Sequence, residues 1–307
     1  MYHTIFVPIC VRNKARETNM DKNQMVLVSL LIFLHHITKA TIASETSPPT
    51  SSKHFVLVHG SCQGAWSWYK LVPLLRSSGH RVTALDLAAS GINPELVDDI
   101  PSVSDYFKPL QDFMASLPRH ERVVLVGHSF GGLAVCQAME NFPEKISVAV
   151  FVTAMMPGPS LNISTLFQES FRRQESVLDS HYTYDNGPNN PATTFIFGPL
   201  YLAAKVYQLS PIEDVALATT LLRPLRLYSL ENMSRELVLS SKKYGSVRRV
   251  FVISEKDKVG KKEFQKWLVE KNPPDEVEEI KGSDHMIMMS KPVELCVVLL
   301  GIAGKYS

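Results

Sequence analysis

The stretch VVLVGHSFGGLAV, residues 123–135, decides the fold. An apolar run suited to a strand buried on both faces breaks at Gly127-His128-Ser129-Phe130-Gly131 and then resumes in a pattern suited to a helix. Glycine, histidine and serine all weaken a strand, so the interruption implies a forced turn whose residues serve something other than packing. G-x-S-x-G between a strand and a helix reads as a nucleophile elbow: a strained turn presents the serine hydroxyl, and flanking glycines let strand and helix approach. A glycine-rich turn with an incidental serine fits the same residues without any chemistry. The rest of the chain has to decide between the two.

Working outward, short β-branched runs alternate with longer amphipathic segments. HFVLVHG (54–60), RVTALDL (81–87), RVVLVGH (122–128), VAVFVTA (148–154) and RRVFVIS (248–254) are near-continuous apolar runs, as expected of parallel strands covered on both faces. Helices are expected at 66–76, 104–117, 130–141, 261–270 and 291–303, with Ser104 as an N-cap and Pro109 as a kink. The alternation predicts an α/β fold with a mostly parallel sheet flanked by helices. Between about residues 155 and 244 no strand of this type occurs, and Phe, Tyr, Leu and Pro abound. Some 90 residues is about six times the length at which structureless loops become uncommon, which predicts an inserted, largely helical cap. In such sheets the ligand site lies outside the carboxyl ends of the strands, so the insertion is expected to lie over it.

A serine nucleophile needs a base, and the base an orienting acid, both later in the chain for an elbow of this kind. Asp257 follows the last long strand in SEKDK, and His285 follows a short strand, EVEEI, in GSDHM. Glu255 and Asp284 compete as acids; Asp257 is preferred because Asp284 adjoins His285 and Glu255 lies two residues nearer the strand. Alone, His285 is an ordinary turn histidine and Asp257 a solvated charge among lysines, but the ordered combination favours a triad. Two backbone N–H groups are expected to receive the oxyanion, those of Phe130 after the nucleophile and Ser61 after the first strand. Cys62, beside them, is read as packing.

Composition narrows the partners. Of 307 residues, 45% are hydrophobic and 20% charged, as in a soluble globular chain. The formal charge of +2 comes entirely from residues 1–52, with five basic and three acidic side chains, and the remainder carries 27 of each. That balance offers no basic field for nucleic acid or an anionic membrane and suits a small neutral ligand. The four cysteines are widely spaced and no metal-ligand pattern occurs, so neither disulfide framework, metal nor other cofactor is expected. Residues 25–43 match a secretory signal more closely than a membrane span, followed by a Ser/Pro-rich linker to residue 52. If the signal acts, the protein enters the secretory path, and Asn162 and Asn232 become glycosylation acceptors; otherwise it is cytoplasmic.

FVLVHGSCQGAWSWYKLVPLL, GHRVTALDLAASGINP, VVLVGHSFGG, FGPLYL, LSPIEDVALATTLLRP and EEIKGSDHM together resemble the plant methylesterases, a family of α/β-hydrolases similar to the α-hydroxynitrile lyases. The resemblance runs from about His54 to the C-terminus and divides the chain into a leader and linker (1–52) and an α/β-hydrolase domain (53–307) with its cap. It implies hydrolysis of methyl esters of small plant hormones (jasmonate, indole-3-acetate or salicylate) by Ser129, His285 and Asp257, without a cofactor. A homodimer is compatible with it. The lyases characteristically carry Thr, Glu, Cys and Lys where this chain has Gly60, His128, Phe130 and Met286, which disfavours cyanohydrin cleavage. Where some salicylate-binding members have Trp, this chain has Val177, which leaves more room for a jasmonate or indole ester; Phe195 and Phe197 resemble pocket aromatics. A hormone receptor that keeps the hydrolase pocket is the alternative reading.

Overall fold

In the computed structural model, residues 52–306 are described. The leader, including the signal-like run at 25–43, lies outside them. Six strands form the main sheet: β1 (His54–Val58), β2 (Arg81–Leu85), β3 (Val123–His128), β4 (Ile146–Val152), β8 (Arg249–Ser254) and β9 (Glu276–Ile280). Their order is β2-β1-β3-β4-β8-β9, and every neighbouring pair runs parallel.

Parallel pairing explains the near-continuous apolar runs. Successive side chains of a strand point to opposite faces, and here both faces are covered. Val56 and Val58 of β1, Leu125 of β3 and Phe151 of β4 enter one buried cluster, with the helices Val103–Ser116, Gly131–Asn141 and Lys262–Lys271. Phe55, Leu57, Val126 and Val150 enter the other, with Leu71–Ser77 and Pro292–Lys305. The edge strand β9 instead reads EVEEI, and its glutamates discourage pairing with another chain.

Helix termini depart from the expected ones in instructive ways. The segment from residue 66 splits into a 3-10 turn, Ala65–Trp68, and a helix, Leu71–Ser77. The N-cap of Val103–Ser116 is Ser102, not Ser104: Ser102 Oγ accepts from Asp105 N–H at 3.0 Å while donating to the Asp105 carboxylate. Ser104 Oγ accepts from Gln137 of the neighbouring helix, and the helix runs on through Pro109.

Between β4 and β8 the chain forms the helices Ile163–Arg173, Ile212–Leu221 and Leu230–Glu236. It also forms a small antiparallel sheet that the sequence does not announce, of β5 (His181–Thr183), β6 (Thr194–Ile196) and β7 (Leu225–Arg226). Among the described residues no helix is long and apolar enough to cross a membrane.

Candidate active site

The parallel sheet sends every strand's carboxyl end to one side, and the chemistry-bearing residues sit in the loops there. Ser129 directly follows β3 with φ +52°, a left-handed conformation that a serine adopts only under constraint. Its carbonyl accepts from the N–H groups of Gly132 and Met155, which fixes the turn. The turn closes only because Gly131 and Gly132 lack side chains. A Cβ at Gly131 would lie 2.3 Å from His59 O, and one at Gly132 2.1 Å from Met155 O.

Ser129 Oγ lies 3.0 Å from His285 Nε2, and His285 Nδ1 lies 2.7 Å from Asp257 Oδ2. The second Asp257 oxygen accepts the N–H groups of Val259 (2.7 Å) and Gly260 (2.9 Å), and Thr153 Oγ1 donates to Oδ2 at 2.5 Å. Burial alone would push this carboxyl up; the adjacent His285 ring and the converging donors outweigh it and hold Asp257 below the usual carboxylate range. Asp257 therefore stays an acceptor, which fixes the proton on His285 Nδ1 and turns the Nε2 lone pair towards Ser129.

The rival acids are engaged elsewhere. Glu255 accepts Gly282 N–H, and Asp284 accepts Leu209 N–H, Ser210 Oγ–H and Met286 N–H. Cys62 is buried with its thiol donating to Phe195 O, and burial pushes its pKa up to about 12, which keeps it protonated. The N–H groups of Ser61 and Phe130 donate to no other group among the described residues, which leaves both for a ligand oxygen.

Two further histidines frame the site, and sequence alone assigns neither a partner. His59 donates through Nδ1 to Gly60 O and accepts Leu87 N–H at Nε2, so it is neutral, and burial lowers its pKa. His128 donates through Nε2 to His285 O at 2.8 Å. Burial and the neighbouring His285 ring lower its pKa to about 3. The role of Thr153 is also visible only in the structure; a polar residue next to the end of the run VAVFVTA is the available signal.

The pocket candidates divide. Phe195 and Phe197 meet edge to face at 5.0 Å, and Phe195 O receives the Cys62 thiol, which joins this pair to the loop carrying Ser61. Val177 is half-buried in a turn closed by Ser180 N–H, and it lines neither of the two cavities beside Ser129 and Phe130. A small cavity of about 60 Å³ touches Ser129, His285 and Met155. An apolar cavity of about 370 Å³ is lined by Phe130, Phe167, Phe171, Leu225, Tyr228 and Leu230.

Comparison with known proteins agrees with this geometry. The profile of the alpha/beta hydrolase family matches residues 55–298. Methyl jasmonate esterase 1 of Vitis vinifera is 56% identical over 83% of this chain and 98% of its own. Salicylic acid-binding protein 2 of Nicotiana tabacum is 46% identical over 83% and 98%. The crystal structure of tomato methylketone synthase I with 2-tridecanone superposes with a TM-score of 0.81 at 59% identity, over 83% of this chain and 99% of that one. The family match over most of the chain, with the identity over nearly the whole length of these relatives, shows that the chain belongs to the alpha/beta hydrolase family and is of the plant methylesterase type.

Proposed function

We propose that this protein is a serine carboxylesterase that hydrolyses methyl esters of small plant hormones, with methyl jasmonate as its preferred acyl class. The observation that carries the reading is the serine–histidine–aspartate chain, with contacts of 3.0 and 2.7 Å from Ser129 Oγ to Asp257. His285 Nε2 takes the Ser129 proton as Oγ attacks the ester carbonyl, and the N–H groups of Ser61 and Phe130 receive the oxyanion. The tetrahedral adduct collapses, and His285 returns the proton to the departing methoxide, which leaves as methanol. Water then gives a proton to the same nitrogen as it attacks the acyl-enzyme, and the free acid departs with Ser129 restored.

The segment at about 155–244 acts as the cap over this site, following the leader (1–52) and carried within the hydrolase domain (53–307). Two features support an extended, mainly apolar acyl group: the 370 Å³ apolar cavity beside Phe130 and the 56% identity to a protein named methyl jasmonate esterase.

The test is a panel of methyl jasmonate, methyl indole-3-acetate and methyl salicylate, each with wild type and Ser129→Ala. Multiple turnover, with methyl jasmonate giving the highest kcat/KM and the variant down by several orders of magnitude, is expected. Equal rates for both proteins would overturn the nucleophile. A highest kcat/KM on another ester would overturn the jasmonate preference.

A further inference from the structure

Residues 207–210, just past a π-helical turn at Leu202–Val206, hydrogen-bond to neighbours of all three elements that serve the nucleophile. Tyr207, buried, donates its hydroxyl to Gln63 Oε1 at 3.0 Å, and Gln63 lies two residues beyond Ser61 in a turn closed on Gly60 O. Gln208 Nε2 donates to Lys256 O at 2.7 Å, immediately before Asp257. Leu209 N–H and Ser210 Oγ both donate to Asp284 Oδ2, at 2.9 and 2.8 Å, immediately before His285.

Asp284 is fully buried, and its other oxygen accepts Met286 N–H at 3.0 Å. The two edges of one carboxylate thus join the cap segment on one side to the backbone just past His285 on the other. As a carboxylate it accepts on both edges; an amide of the same shape accepts on one and donates on the other. The loops of Asp257 and His285 are already bonded together, through Lys256 N–H to Ser283 O and Ser254 Oγ to Asp284 O. A displacement of residues 207–210 therefore reaches base and acid as one unit. The π-helical turn that delivers this segment carries an extra residue per turn and is of a kind that recurs at functional sites.

We propose that Asp284 is a positioning residue: its carboxylate clamps residues 207–210 of the cap to the loop of His285, so that seating of the cap sets the alignment of the base on Ser129. The inference rests on the triad reading above, but not on the identity of the acyl group.

The test is the rate at which a small fluorophosphonate probe labels Ser129 in the full chain, with kcat and KM on an accepted methyl ester beside it. Asp284→Asn is expected to slow labelling by about 10- to 100-fold and to lower kcat alike, with KM within twofold. Tyr207→Phe, which removes only the tie to Gln63, is expected to slow labelling by about threefold or more. The double variant should be little slower than Asp284→Asn, because both act through one strut. Labelling of Asp284→Asn within twofold of wild type, or single effects that multiply independently, overturns the proposal. If Asp284→Asn does not fold, Ser210→Ala, which removes one of the two bonds from residues 207–210 to Asp284, takes its place, and wild-type labelling overturns the proposal. A wild type that labels but hydrolyses no ester in the panel defeats the substrate reading only. One that fails to label defeats the triad and this inference with it.

Discussion

Thr153 and His285 share a single acceptor: the threonine hydroxyl reaches Asp257 Oδ2 at 2.5 Å, and the imidazole Nδ1 reaches the same oxygen at 2.7 Å. The acid is therefore held from the end of β4 as well as from its own loop. Thr153→Val removes a hydrogen bond to a charged group while keeping the side chain's shape. The expected result is a loss of about tenfold in kcat with KM unchanged, measured by steady-state kinetics on any accepted ester. An unchanged kcat would mean that the Val259 and Gly260 N–H groups suffice.

Asp257→Asn is expected to be far more damaging. An amide donates where the carboxylate accepts, which favours the wrong tautomer of His285. A fall of about 10⁴ in kcat follows, with little change in the circular dichroism spectrum. Recovery of most activity in this variant would return Glu255 or Asp284 to consideration as the acid.

His128 gives a pH signature of stability. Its folded pKa is lowered to about 3, whereas an unfolded histidine titrates near ~6.5. Between those values the unfolded chain binds a proton that the folded chain does not, so stability rises with pH and falls as the solution is acidified. One such proton contributes a slope of up to about 1.4 kcal/mol per pH unit. His128→Gln, which keeps an N–H donor for His285 O, should flatten the slope between pH 6 and 4 by about that amount. Urea unfolding at a series of pH values measures it, and superimposable slopes would refute the assignment.

Gly132→Ala tests how tightly the elbow is closed. The new methyl carbon would meet Met155 O at 2.1 Å, and that carbonyl is backbone, which cannot swing aside cheaply. A loss of about 1–3 kcal/mol in unfolding free energy is expected, together with reduced kcat as Ser129 shifts. Stability equal to wild type would show that the loop at Met155 yields.

The central strands were legible because parallel pairing buries both faces, so Phe55 and Val56 are equally apolar although they enter opposite clusters. The grouping of Ser129, Asp257 and His285 is legible because their chain order and strand-end placement restrict the choice. The sheet of β5, β6 and β7 was not: its strands are two or three residues long, and His181–Thr183 is largely exposed, so no apolar alternation develops. Ser102 and Ser104 are equal as caps in the sequence, since either serine can cap, and only the Asp105 bonds decide for Ser102. The bonds of Thr153 to Asp257, His128 to His285 and Ser210 to Asp284 join residues 74 to 157 positions apart, and no local pattern encodes them.

His285 follows β9, the last strand of the sheet, and stands 156 residues after Ser129. During synthesis the proposed nucleophile therefore leaves the ribosome long before its proposed base. A nascent or C-terminally clipped product ending before residue 285 carries the elbow serine with nothing to deprotonate it. In the proposed mechanism, esterase activity therefore requires the chain through β9 and His285, with the sheet complete to that edge.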